Sequence, residues 1–304
     1  MIYMYFFDAH CDTMLKICNG EPTDFSFEAA RLPGGFFQIF ACFCEEYERD
    51  DTVALRTLRN FKQYISNLET AEIIYTPVQA KQVLEQGKTA VMLALENCTC
   101  LGEEPENLYK FYNMGVRSIT LTWNGENAFA SGCMCKKGGL SEKGVQLIAL
   151  AEKLGVLIDL SHLNTQSFRD VMELGKGKLF ASHSSAYSVT AHPRNLTDRQ
   201  ISQLYHRGGV ICACPNPPFI ANGEKSGLDE FAAHIRHISR LTDGLGIGLG
   251  TDTDGISACC ERLKTTYDLV NLPVFFAEAG MKNYEIENIF SCNLGRFLNI
   301  FPKK

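Results

Sequence analysis

The sequence predicts an α/β fold: a single (β/α)8, or TIM, barrel spanning residues 1–304. Three observations predict it. Short apolar runs alternate along the whole chain with amphipathic segments of helical period, which implies a parallel sheet joined by right-handed crossovers. The apolar runs number eight. They are rich in Val, Ile, Leu and Phe and near-continuous rather than alternating, as strands buried on both faces should be. An open doubly wound sheet is the alternative, but it does not call for so regular a count. A length of 304 residues is ordinary for one such barrel, and no low-complexity linker or charge block divides the chain.

The strand-like runs cover residues 5–9, 36–43, 90–95, 117–122, 156–160, 179–182, 210–214 and 246–250. Helical periodicity fills the gaps. Residues 51–69 place Val53, Leu55, Leu58, Phe61, Ile65 and Leu68 at helical spacing. Residues 106–114 follow Pro105. Residues 141–154 open within "LSEKG", carry Val145, Ile148, Leu150, Ala151 and Leu154, and stop at Gly155, a C-cap residue. Segments 165–174, 197–206 and 229–241 complete the pattern, led in by Asn164, Leu196-Thr197 and Gly227-Leu228. Residues 283–299 form a closing helical stretch.

Composition narrows the function classes. Hydrophobic residues are 45% and charged residues 21%, enough to fill a large core. Lys and Arg total 29 against 35 Asp and Glu, a net charge of −6 with no basic cluster, which argues against a nucleic-acid partner. No stretch reaches the ~20 apolar residues that span a bilayer, so no membrane partner is expected. The N-terminal run lacks a basic flank and a cleavage site and reads as a strand, so the expected location is cytoplasmic. Lys303 and Lys304 read as a solvated tail. Among 13 cysteines, Cys42/Cys44, Cys98/Cys100, Cys133/Cys135 and Cys212/Cys214 are C-x-C pairs. That spacing does not match a zinc ribbon, and the cysteines read as small buried hydrophobes of a reducing compartment.

The chemistry gathers where the predicted strands end, which in a barrel is the active-site mouth. The first run leads into Asp8-Ala9-His10-Cys11-Asp12, the third into Glu96-Asn97 and the fourth into Trp123-Asn124. The fifth ends in Asp159-Leu160-Ser161-His162, the sixth in Ser182-His183 and the eighth in Thr251-Asp252-Thr253-Asp254. Three of the seven histidines sit at these ends; His206, His234 and His237 lie on helices. Residues two apart in a strand share a face, so His10 and Asp12 point together and Cys11 turns away. Imidazoles and carboxylates suit zinc or a similar ion. His10, Asp12, Glu96, His162 and His183 exceed the three protein ligands of a one-zinc catalytic site, and suffice for two metals if one carboxylate bridges. Glu96 has the reach to bridge. Asp252 is placed to move a proton, with Asp254 as the alternative, and "GIGLG" before it lets backbones approach closely. Asp159 and Asp8 read as supporting residues behind the ligands.

These motifs together resemble the membrane (renal) dipeptidase family of zinc metallopeptidases, within the amidohydrolase-like barrels. "DAHCDT" is similar to its first-strand D-x-H-x-D signature. "GVLIDLSH" and "FASHSSAYSV" are similar to its two histidine motifs, and "GLGTDTDG" to its last-strand motif. The resemblance runs from residue 6 to about residue 300 and implies a binuclear zinc dipeptidase. His10 and Asp12 would bind one zinc, His162 and His183 the other, and Glu96 would bridge. A hydroxide held between the metals would attack the peptide carbonyl while Asp252 shuttles the proton and meets the substrate's amino group. Arg194, in "AHPRN", would pair with the dipeptide's carboxylate. Substrates with a C-terminal D-residue and a homodimeric state are further expectations of the family. Trp123 stands where mammalian members carry a histidine, so oxyanion help must come from a metal or another donor. The same centre acting on a lactam, lactone or phosphoester is the alternative.

Overall fold

The computed structural model describes residues 4–31, 34–221, 226–256 and 260–302, so residues 1–3 and the Lys303–Lys304 tail lie outside it. Its strands are β1 (Phe6–Cys11), β2 (Phe36–Phe43), β3 (Ala71–Ile73), β4 (Thr89–Glu96), β5 (Val116–Thr120), β6 (Leu157–Asp159), β7 (Leu179–Phe180), β8 (Ile211–Ala213) and β9 (Ile247–Leu249). All pairings between them are parallel, in the order β1-β2-β4-β5-β6-β7, with β8 paired to β9.

Backbone hydrogen bonds close the ring. Ala181 N donates to Val210 O at 2.9 Å and Cys212 N to Ala181 O at 2.8 Å, joining β7 to β8. Asp252 N donates to His10 O at 3.1 Å and Asp12 N to Thr253 O at 2.9 Å, joining β9 to β1. The predicted eight-stranded barrel is present. β3 is additional: it pairs with β4 along residues 89–91, and β5 takes over the same edge from Leu93.

Helices follow where the sequence places them, with their caps. Ser141 Oγ accepts from Gly144 N at the start of Glu142–Leu154, and Gly155 ends that helix in left-handed geometry, φ 69°. Thr165–Leu174 is capped by Asn164, and Asp198–His206 by a Thr197–Gln200 capping box. The predicted segment 283–299 is interrupted: Asn283–Glu287 and Asn293–Phe297 flank a π-helical turn, Asn288–Cys292. The helices Thr13–Asn19, Pro77–Glu85 and Leu272–Glu278 are unanticipated. No described helix is long and apolar enough to cross a membrane.

The two faces of the strands feed two apolar clusters. Phe36, Phe40 and Cys42 of β2 pack with Leu58, Phe61 and Ile65 of the helix Thr52–Ser66. Phe7, Phe37, Ile39, Met92, Phe180 and Cys212 belong to the other cluster. They come from five strands around the ring, and side chains so distributed meet only in the barrel interior. This double burial is why the runs are continuously apolar.

At the mouth β5 to β9 stop one or two residues short of their apolar runs, whereas β1 and β4 run past theirs. Buried carboxylates replace the lost ladder partners. Asp8 accepts from His10 N at 3.2 Å, Thr251 N at 2.9 Å and Thr251 Oγ1 at 2.6 Å. Asp159 accepts from Ser161 N at 3.0 Å, Ser182 N at 2.9 Å and Thr120 Oγ1 at 3.1 Å. Unpaired buried amides are costly, so these two residues hold the mouth open at little penalty.

Candidate metal centre and active site

Four non-glycine residues at the mouth have left-handed backbones: Asn97 (φ 67°), His162 (φ 71°), Asp252 (φ 58°) and Asp254 (φ 71°). Such conformations are uncommon and concentrate at functional sites. Each follows a barrel strand.

The five predicted ligands converge. Glu96, at the end of β4, turns its two oxygens in different directions: Oε2 lies 3.2 Å from His10 Nε2 and Oε1 lies 3.0 Å from His162 Nε2. His183 Nε2 is 3.8 Å from Glu96 Oε1, and Asp12 Oδ1 is 3.8 Å from His10 Nε2. Asp12 has left the strand and precedes the helix Thr13–Asn19, while Cys11 turns into the apolar core as the period of two requires. Ligand atoms of His10, Glu96 and His183 lie within 4.8 Å of one another, as do those of His10, Asp12 and Asp252.

The hydrogen-bond partners behind the rings set their tautomers. Asn124 Oδ1 faces His162 Nδ1 at 3.0 Å, so that nitrogen carries the proton and Nε2 is bare. Ser182 Oγ donates to Asp159 Oδ2 and therefore accepts from His183 Nδ1 at 2.6 Å, which leaves His183 Nε2 bare as well. The two bare Nε2 atoms stand 2.8 Å apart. Two lone pairs at that distance repel unless a cation lies against both. Nearby, His10 Nε2, Asp12 Oδ1 and Glu96 Oε2 are buried without a hydrogen-bond partner. A nitrogen and carboxylate donor set with orphaned lone pairs fits a divalent metal site.

Burial opposes a charge on His10, but the Glu96, Asp12 and Asp252 carboxylates together outweigh it and push the imidazole up to about 10. Burial and the Arg194 charge push His162 down to about 3. Burial, with His10 beside it, holds His183 well below its ordinary value. Asp12 is raised by burial and by Glu96. Burial raises Asp252 to about 7. Three carboxylates, Asp12, Glu96 and Asp252, are thus crowded into a site that a cation would stabilise.

Asp252 and Asp254 part company. Asp252 Oδ1 lies 3.9 Å from His10 Nε2. Asp254 points elsewhere and is fully engaged, accepting from Thr13 Oγ1 at 2.6 Å, Lys16 Nζ at 2.9 Å and Asp24 N at 2.9 Å. Gly255 packs against both Asp12 and Asp252, where any side chain would strike their carboxylates. Gly250 likewise admits the Ser182 carbonyl, the close approach that "GIGLG" predicts.

Arg194 is 5% exposed, not a surface residue. Its Nη2 donates to His183 O at 3.1 Å, its guanidinium lies 5.3 Å from the Phe219 ring, and its Nε has no partner. Arg194, Trp123, Asn124, Asp12, Glu96 and Asp252 line one cavity of about 530 Å³. Trp123 tilts over His162 with ring centroids 6.0 Å apart. The roles of Asn124, Ser182 and Gly255 are not evident in the sequence. Asn124 and Ser182 do stand at strand ends, beside Trp123 and His183, which is the only signal they give.

A model of the membrane dipeptidase family, peptidase family M19, matches residues 1–302. The chain is 29% identical over 283 residues to an uncharacterized dipeptidase of Schizosaccharomyces pombe, covering 85% of this chain and 68% of that one. It is 27% identical over 288 residues to dipeptidase verJ of Clonostachys rogersoniana, covering 88% and 73%. Its fold matches the crystal structure of dipeptidase AC, a metallopeptidase, with a TM-score of 0.90 at 22% identity over 97% of this chain and 98% of that one. It also matches a metallopeptidase from Rhodobacter sphaeroides liganded with a phosphinate mimic of the dipeptide L-Ala-D-Ala, with a TM-score of 0.87 at 20% identity over 98% and 99%. The family match spans every strand that brings a residue to the mouth, and the chain belongs to the membrane dipeptidase family, peptidase family M19.

Proposed function

We propose that this metal-dependent dipeptidase holds two divalent ions, most simply zinc, with His10 and Asp12 on one, His162 and His183 on the other, and Glu96 between them. The observation that carries the proposal is the pair of bare imidazole nitrogens facing Glu96, whose other oxygen faces His10. When bound, the ions supply Lewis acidity toward the scissile carbonyl and the attacking water. The family match favours the peptide bond over a lactam, lactone or phosphoester.

The chain's own groups do the rest. Asp252, whose carboxylate lies 3.9 Å from His10 Nε2 at the mouth, would take a proton from the attacking water and return it to the leaving amine. The same carboxylate meets the free amino group of the substrate. Arg194 offers its fork to the substrate carboxylate. Its burial supports this reading, because a guanidinium with an unpartnered Nε invites an anion. Reading both ends limits the substrate to two residues. The L-Ala-D-Ala mimic on the Rhodobacter sphaeroides protein supports acceptance of a C-terminal D-residue here.

Chelator-treated protein should lose dipeptidase activity and regain it with zinc, on both L-L and L-D dipeptides. Unchanged activity in Asp12→Ala or His183→Ala would sink the scheme. The homodimer rests on the family resemblance and the cytoplasmic location on the sequence reading of the N-terminal run as a strand; light scattering and fractionation test them.

A further inference from the structure

A second cavity, of about 830 Å³, adjoins the first and shares His162 and Arg194 with it. The two have opposite charge. The first is lined by Asp12, Glu21, Glu45, Glu96, Asp252 and Asp254, and its Lys16 is already paired with Asp254 at 2.9 Å. The second is lined by Lys136, Lys137, Arg169 and Arg194 and by no carboxylate. In a chain of net charge −6, a wall with four cations and no acid is not the expected composition. Two buried groups of this wall, Arg194 Nε and Ser184 Oγ, also lack hydrogen-bond partners.

Arg194 stands at the junction. If it holds the substrate carboxylate, the residue bearing that carboxylate sits at the boundary and its side chain has the cationic cavity before it. We infer that the site selects dipeptides whose C-terminal residue is acidic, an aspartate or a glutamate, with the side-chain carboxylate directed to Lys136, Lys137 and Arg169. This rests on the dipeptidase reading above. Lys136, Lys137 and Arg169 are exposed, so their field is screened by salt and acts as a preference rather than a lock.

The test compares kcat/KM of the metal-loaded enzyme for Ala-Glu, Ala-Gln and Ala-Lys, each with an L- or D-residue second. The amide is isosteric with the acid, so the ratio between them isolates charge. The acid should exceed the amide by about tenfold at low salt, and the ratio should shrink as salt is raised. In the Lys136→Glu/Lys137→Glu variant the acid-to-amide ratio should fall to one or below. Equal rates for acid and amide, or a variant that leaves the ratio intact, overturns the inference while leaving the dipeptidase reading standing. No turnover of any of these dipeptides overturns both.

Discussion

Replacing Gly255 by alanine separates the fold from the site. Gly255 is exposed, and its φ lies outside the left-handed region, so alanine adopts the same backbone without strain. The added Cβ would nevertheless stand 3.0 Å from Asp12 Cγ, and nearer still to Asp12 Oδ2 and Asp252 Oδ1. Carbon atoms in ordinary contact sit ~3.5–4.0 Å apart, so both carboxylates must retreat by about 1 Å. They are tips of side chains and can swing, so the thermal midpoint of the metal-free protein should move little. The site cannot absorb the same shift: a misplacement of ~1 Å costs about 100-fold in rate. Gly255→Ala should therefore lower kcat/KM on Ala-Ala by about 100-fold and reduce metal bound per chain, measured by elemental analysis after dialysis. Wild-type kinetics together with full metal content would refute the reasoning, because Asp12 and Asp252 would then not need the positions this glycine leaves them.

Other outcomes follow from the same geometry. Gly250→Ala is the opposite case, since its Cβ would overlap the Ser182 carbonyl, a backbone atom; it should lower folded yield and thermal midpoint sharply, and a wild-type melt would contradict the close packing of β9 against β7. Asp159→Asn keeps one oxygen for Ser161 N and Ser182 N but puts an NH2 donor where Ser182 Oγ and Thr120 Oγ1 need an acceptor, and should cost about 1–3 kcal/mol in urea unfolding and 10–100-fold in metal affinity. Metal removal should lower the thermal midpoint, and ions at 100 times their dissociation constant should restore about 2.7 kcal/mol per site. His234 gives a pH dependence independent of the metals. Burial pushes its imidazole down to about 4, so it stays neutral while the unfolded chain takes up a proton near 6.5. Its contribution is complete above pH ~6.5 and is lost as pH falls toward 4, by about 3 kcal/mol in all. Urea unfolding of chelated protein between pH 7 and pH 5 should show this loss, and His234→Gln should reduce it, leaving the part that the depressed His162 and His183 contribute with the same sign.

Much of the fold was legible because barrel strands are buried on both faces and declare themselves as apolar runs. β3 and the helix Pro77–Glu85 were not. The segment "AEII" is too short to read as a strand, and it pairs only with the lower part of β4. The helix after it does carry a sequence signal, the Thr76–Gln79 capping box with Pro77 at its start. The strand ends were harder. At the strand ends, amides of His10, Thr251, Ser161 and Ser182 go to Asp8 and Asp159, and no periodicity announces that exchange.

The sequence by itself determined the residue types at the mouth: a histidine and an aspartate on one face of the first strand, and a glutamate, two histidines and an aspartate after later ones. It did so because strand period and barrel topology send strand ends to one place. Only the tertiary structure decided what those residues do to each other. Asp254 looks like Asp252 in sequence, yet it is spent on Thr13, Lys16 and Asp24, some 230 residues away. Nothing in "AHPRN" shows that Arg194 is buried; Phe219 and the His183 carbonyl, from other segments, enclose it. The bare nitrogens of His162 and His183, and the opposite charges of the two cavities that meet at His162 and Arg194, depend on contacts between distant segments. Short-range pattern cannot encode such contacts, because they exist only once the ring has closed.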